Sequence, residues 1–136
     1  MIRSLLRPDR RRYRLAEQAP PGPVRDYLTT PLPGPRTVAE DLRLLAIDIE
    51  TTGLDPRTDH ILSVGFVPLD GLVIDLSGAT HLLCWAETEV GQSAVVHGIT
   101  DDALTEGVPL SELVERVAAA LQGRVLLAHH AHIETE

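Results

Sequence analysis

The sequence predicts an α/β fold. Three strands form an antiparallel meander, a fourth returns parallel to one of them, and helices flank the sheet. Three observations carry this expectation. Leu42–Glu50 reads as the first strand, and the six residues before Asp48 are almost wholly apolar, as expected for a central strand covered on both faces. Ile61–Pro68 follows, ended by its proline, and then Leu72–Leu76 and Ala79–Trp85 form a third, interrupted strand. Gly53, Asp55-Pro56 and Asp70-Gly71 supply the turn signals between them. Ser111–Gln122 then has helical periodicity, so the apolar run Arg124–Ala128 can return parallel to the meander.

The chain's 136 residues suit one domain. Apolar residues make up 43% and aromatic residues only 3%, so the core must be built from Leu, Val, Ile and Ala. Cys84 is the only cysteine. An intrachain disulfide framework is therefore excluded, which fits a reducing, cytoplasmic setting. No apolar run approaches the roughly 20 residues of a membrane span, so no membrane partner is expected. The N-terminus lacks the apolar stretch of a secretory signal. Its arginines also fit an organelle transit peptide, but Pro-rich sequence follows rather than a clear amphipathic helix.

The net charge of −8 is unevenly spread. Residues 1–36 hold eight Arg against three acids, and residues 37–136 hold four Arg against 17 acids, with no lysine anywhere. By charge alone, so acidic a body binds nucleic acid poorly. Bound divalent cations would offset part of that charge, and the Arg-rich arm more.

Met1–Arg14 reads either as a basic arm that contacts phosphates or as a solvated, frayed terminus. Residues 18–36 contain six prolines and two glycines and read as an extended linker, with room for a short helix at Pro23–Leu28. The expected division is thus an arm and linker at 1–36 and a domain at 37–136. Within Ser93–Leu104, Thr100 is a plausible N-cap with Asp101 and Asp102 in the first turn. In the later helix, Leu110, Leu113, Val114, Val117, Ala118 and Leu121 share one stripe, and Gly123 is the stop. The chain ends about six residues into a helix starting near Ala131, leaving the fourth strand as a bare sheet edge. An incomplete domain, truncated before the last strand and helices, is the expectation from that ending.

Chemistry concentrates at the end of the first strand. Strand side chains alternate, so Asp48 and Glu50 share one face while Ile47 and Ile49 point to the other. Two adjacent acids repel each other and call for a cation, and hard oxygen ligands suit Mg²⁺ or Mn²⁺. The plainer alternative is a solvated pair at an exposed strand end.

Ile47-Asp48-Ile49-Glu50-Thr51-Thr52-Gly53-Leu54 resembles the first motif of the DnaQ-like 3′–5′ exonucleases. These form the DEDD group within the ribonuclease H-like fold, and they include the proofreading (epsilon) subunit of bacterial DNA polymerase III. Val96-His97-Gly98-Ile99-Thr100-Asp101 resembles the family's H-G-I segment, and Val125–Glu134 its second exonuclease motif. Two departures stand out. The second motif usually reads H-N-A-x-F-D, whereas here His130 replaces Asn, Ile133 replaces Phe and Glu134 takes the place of the metal-binding Asp. The third motif, which brings a general-base His and a fourth acid, lies beyond this chain.

The resemblance implies a ribonuclease H-like mixed sheet and a two-metal 3′–5′ exonuclease. Its substrate would be a single-stranded 3′ end, of DNA in the first instance, or of RNA. Asp48, Glu50 and Glu134 would hold two Mg²⁺ or Mn²⁺ ions, with Asp48 bridging both and Glu50 binding the nucleophile's ion. The backbone at Thr51 and Thr52 would meet the terminal 3′-OH. Gly53 would allow close approach, and Leu54 would wedge against the terminal base. His97 and His129 are either nucleotide-pocket residues or structural imidazoles bonded to buried backbone. A DNA polymerase subunit is the implied protein partner. With the third motif absent, the expectation for this chain is weak or no activity. The alternative is a non-catalytic nucleic-acid- or polymerase-binding module on a degenerate exonuclease fold. A zinc site built from His129, His130, His132 and Glu134 is disfavoured, because the spacing matches no common zinc pattern. Cys84, lacking an evident basic neighbour, reads as buried and inert.

Overall fold

The computed structural model of the chain describes residues 10–53, 55, 57–85 and 104–129. In chain order the elements are α1 (Arg10–Gln18), α2 (Pro23–Thr29), β1 (Arg43–Thr51), β2 (Ile61–Asp70), β3 (Val73–Ile74), β4 (Thr80–Leu83), α3 (Leu110–Leu121) and β5 (Val125–Ala128). The strand order is β3-β2-β1-β5, with β4 also pairing with β2. β1 runs antiparallel to β2 and parallel to β5, so the expected mixed sheet is present.

β1 is central because its alternate residues have somewhere apolar to go. Leu45 and Ile47 are buried, and Ile49 packs beside them. Their rung partners on β2 are Pro68, Phe66 and Val64, and Leu82 of β4 pairs with Val64. Leu113 and Leu121 of α3 close this aliphatic core, with Cys84 inside it. Burial pushes the Cys84 thiol above its ordinary range, as suits an inert core residue.

α3 begins and ends within a residue of the expected bounds, and Gly123 takes a positive φ of 70° just past it. Its stripe is only partly covered: Leu113, Ala118 and Leu121 are buried, but Leu110 and Val114 are exposed. Val114 borders an apolar cavity of about 580 Å³, bounded by α1, α2, α3 and the Ile47–Ile49 face of the sheet.

The Pro-rich N-terminal part is more structured than an extended linker. α2 starts with Pro23 at its first turn, as Gly22 and Pro23 predict, and packs on α3. Gln122 Nε2 also donates to Thr30 Oγ1 at 3.3 Å, tying the ends of α2 and α3 together. α1 packs on α2. Arg12 places its guanidinium 4.8 Å from the Tyr27 ring centroid and donates to the Tyr27 carbonyl.

Pro68 does not end β2, which runs on to Asp70. The Pro68 carbonyl accepts from the Asp75 amide at 2.9 Å, so its nitrogen faces the same outer edge of the strand. That edge pairs with β4 up to Phe66 and with β3 from Leu69. Pro68 falls in the gap, where a missing N–H removes no rung. The expected turn at Asp70-Gly71 is present, with Gly71 at φ 62°. The interrupted third strand is β3 and β4, separated by a single 3₁₀ turn at Leu76–Gly78. Most of Ser93–Leu104 and the helix expected from Ala131 lie outside the described residues. Among the described residues, no helix is long and apolar enough to cross a membrane.

Candidate active site at the end of the central strand

The face of β1 opposite the core carries Asp48 and Glu50, as alternation requires. Asp48 is exposed and Glu50 half-buried. Their rung partners on β2 are Gly65 and Ser63. Paired residues of neighbouring strands project to the same face, so the acids stand beside a glycine and a serine rather than bulky side chains. Continuing across the sheet, Gly65 pairs with His81 of β4. His81 Cδ2 lies 4.0 Å from where a Cβ on Gly65 would be. Asp48, Gly65 and His81 thus form one row, in which the middle member has no side chain.

Immediately after Glu50 the ladder breaks. Glu50 pairs with Ser63 but Thr51 pairs with Ile61, so Leu62 is an extra residue on β2. Leu62 is buried and packs with Leu104 and Leu83 in a small second cluster. A bulge at this point re-aims the adjoining turn, Thr51-Thr52-Gly53. Thr52 N–H then donates to the His60 carbonyl at 2.9 Å, and His60 N–H donates to Thr52 Oγ1 at 2.9 Å. Thr51 Oγ1 donates to the Gly53 carbonyl. The Thr52 amide is therefore engaged within the fold.

Asp59 closes the loop. Its Oδ1 accepts from Thr52 Oγ1 at 3.0 Å and its Oδ2 from the Asp55 amide at 2.8 Å. The Asp59 amide donates to the Asp55 carbonyl at 2.9 Å, and the Arg57 amide to Asp55 Oδ1 at 3.0 Å. A Cβ built on Gly53 would lie 2.5 Å from Asp59 Oδ2. A side chain at 53 would thus have to displace the Asp59 carboxylate or the turn.

The structure brings Asp48, Glu50, Thr51, Thr52 and Gly53 together at one strand end. His129 joins this neighbourhood from β5. Ala128 pairs in parallel with Ile47, and exposed His129 follows directly after it. Leu54, His97 and Glu134 lie outside the described residues. Asp59, Ser63, Gly65 and His81 are neighbours of the site that sequence does not single out. Only strand register reveals the last three, and in sequence Asp59 is one more acid in a polar loop.

Two carboxylates on one face, flanked by small residues, are a donor set of hard oxygens that fits a divalent cation. Among the described residues, no group of three or more His, Cys, Asp or Glu converges to hold a metal.

Comparison with known proteins adds an independent line. A family model described as "Exonuclease" matches residues 45–133. The chain is 32% identical over 99 residues to the DNA polymerase III subunit epsilon of Treponema pallidum, covering 73% of this chain and 46% of that protein. It is 30% identical over 97 residues to the PolC-type DNA polymerase III of Thermotoga petrophila, covering 70% of this chain and 7% of that protein. It therefore spans less than half the length of either relative. Among solved structures, an exonuclease I from Methylocaldum szegediense matches with a TM-score of 0.59 at 23% identity, over 66% of this chain and 21% of that one. That likeness is one of fold.

Proposed function

We propose that this chain, which belongs to the exonuclease domain family, carries the metal-binding strand of a nuclease that removes nucleotides from a 3′ end by two-metal hydrolysis. The substrate we propose is single-stranded DNA, and the protein partner a DNA polymerase subunit. Relatives named as DNA polymerase III components support DNA as the substrate and a polymerase subunit as the partner. The observation that carries the proposal is the placement of Asp48 and Glu50: same face, end of the central strand, small partners opposite, and a bulge directly behind them.

In this proposal Asp48, Glu50 and Glu134 would hold two Mg²⁺ or Mn²⁺ ions, as three of the four acids that the family's motifs supply, with Asp48 serving both ions and Glu50 the nucleophile's ion. The ions would lower the pKa of an attacking water and neutralise charge on the leaving 3′ oxygen. The chain's own residues do the rest. The apolar back of β1 fixes the two carboxylates, since Ile47 and Ile49 are packed into the core. Gly65, which has no side chain, leaves room beside Asp48. The Thr51–Gly53 turn, with Leu54, would receive the terminal nucleotide. His129 and His97 would border it.

Two measurements test the proposal. Calorimetry of the folded chain should show Mn²⁺ binding that Asp48→Ala abolishes, and mononucleotide release from a single-stranded 3′ end should require both Asp48 and a divalent ion. Asp48 is exposed, so the variant should melt as the parent does. Mn²⁺ binding that survives Asp48→Ala would remove the metal centre from this strand. His130 and Glu134, which depart from the family's second motif, favour a second reading: a non-catalytic binding module. In that case polymerase or nucleic-acid binding would persist in Asp48→Ala.

A further inference from the structure

We infer that Asp59 is a positioning residue, a clasp that fixes the Thr51–Gly53 turn relative to Asp48 and Glu50. The inference rests on the proposed role of that turn in receiving a terminal nucleotide.

The turn lacks a regular ladder of its own. Past the bulge Thr51 still pairs with Ile61, but β1 ends there. One further rung, between Thr52 and His60, carries the ladder past the bulge. Beyond it, one side chain gathers the loose groups. Asp59 takes the Thr52 hydroxyl on one oxygen and the Asp55 amide on the other, so both sides of Gly53 are held by a single carboxylate. Thr52 Oγ1 in turn accepts from the His60 amide, which links the clasp to the last rung. Hydrogen bonds to an ionised acceptor are the stronger kind and hold geometry well.

Gly53 is the second half of the device. Its missing side chain lets the Asp59 carboxylate sit directly beneath the turn, since a Cβ there would lie within 2.5–2.7 Å of three atoms of that carboxylate. Real Cβ atoms essentially never come so close to a heavy atom, so Gly53→Ala must push either the turn or Asp59 aside. The pair is thus matched: glycine makes room, and aspartate fills it and binds Thr52 and Asp55. Asp59 has no need to touch metal or substrate. It acts through the backbone it holds.

The test uses the full chain with Mn²⁺ and dAMP as probes, in wild type, Asp59→Ala, Asp59→Asn, Gly53→Ala and the double variant. Asp59→Ala should leave Asp48-dependent Mn²⁺ affinity unchanged and weaken dAMP binding in the presence of Mn²⁺ by about ten- to a hundred-fold, the usual penalty of a misplaced binding group. Asp59→Asn, with one acceptor oxygen instead of two, should fall between. Unchanged dAMP affinity in Asp59→Ala would overturn the inference. A chain that binds neither Mn²⁺ nor dAMP would instead count against the nuclease reading. The clasp is then decided by stability and exchange alone. Gly53→Ala should lower the melting temperature when Asp59 is present and leave it unchanged when residue 59 is Ala. The Asp55 amide should lose hydrogen-exchange protection in Asp59→Ala. Equal effects of Gly53→Ala in both backgrounds would overturn the clasp whatever the protein binds.

Discussion

Asp48 and Glu50 hold their place because Ile47 and Ile49, their neighbours in sequence, are committed to the core. The same logic of commitment explains Gly71. At φ 62° it adopts a conformation that other residues resist, and a Cβ there would lie 2.3 Å from the Glu40 carbonyl oxygen. Gly71→Ala should therefore cost more than about 1 kcal/mol in denaturant unfolding, against a surface glycine substitution that costs little. A glycine in an Asp-Gly pair announces such a turn, and that much was legible from sequence. The reason for Gly53 was not. Sequence resemblance assigns its small size to an approaching nucleotide, whereas the fold shows Asp59 already beneath it. Which partner a glycine makes room for depends on residues brought close by the turn, and no spacing rule reveals that.

Among the elements, the helix α3 and the parallel strand β5 were readable because their signals are local: a 3.6-residue stripe, a glycine stop and a short aliphatic run. Their anchoring was not readable. Arg124 Nη1, at the entry to β5, donates to the Leu44 carbonyl at 3.2 Å, the Leu69 carbonyl at 3.1 Å and Asp70 Oδ1 at 2.9 Å. One guanidinium thereby pins β5 to β1 and β2. The hydrogen bonds from Arg124 and then Arg43 hold the Asp70 carboxyl below its ordinary range. A carboxylate whose pKa is lowered by folding stabilises the native state above its unfolded pKa. That contribution is lost as pH falls through the native value. Stability should thus decline on acidification below about pH 4, where a free aspartate titrates. Arg124→Ala should flatten this part of the curve. It should also cost about 1–3 kcal/mol at neutral pH, because two strand carbonyls lose a charged donor. Urea melts across pH would check both outcomes.

At the scale of the whole molecule, the sheet divides two tasks between its faces. One face carries the acids. The other carries the core, α2, α3 and the apolar cavity, and α1 lies on this second side, with Leu15 lining the cavity. The helix bearing Arg10, Arg11, Arg12 and Arg14 therefore sits across the sheet from Asp48, and Arg12 is occupied with Tyr27. Charge and proline content foretold a basic, irregular arm. They could not foretell that Tyr27 and the apolar residues of α1 and α2 would dock it, because docking depends on a surface assembled from distant strands. Tyr27 packs against the core and also receives Arg12. Tyr27→Ala should lower global stability by about 1–3 kcal/mol, the range for removing a partly buried contact. If the arm were independent of the body, thermal unfolding would instead be unaffected.

The clasp at Asp59 has a consequence for variation. Chain that leaves the sheet at Gly53 is brought back at His60, and the Thr52–His60 rung and the Thr52–Asp59 bond form a neck across the excursion. Arg57 is exposed in the stretch beyond that neck. Lengthening a closed excursion is cheap, about 0.6 kcal/mol for each doubling. An insertion near Arg57 would part Asp55 from Asp59 yet leave the Thr52 bonds to Asp59 and His60 in place, a route by which related chains, or a designer, can graft new contacts beside the acids.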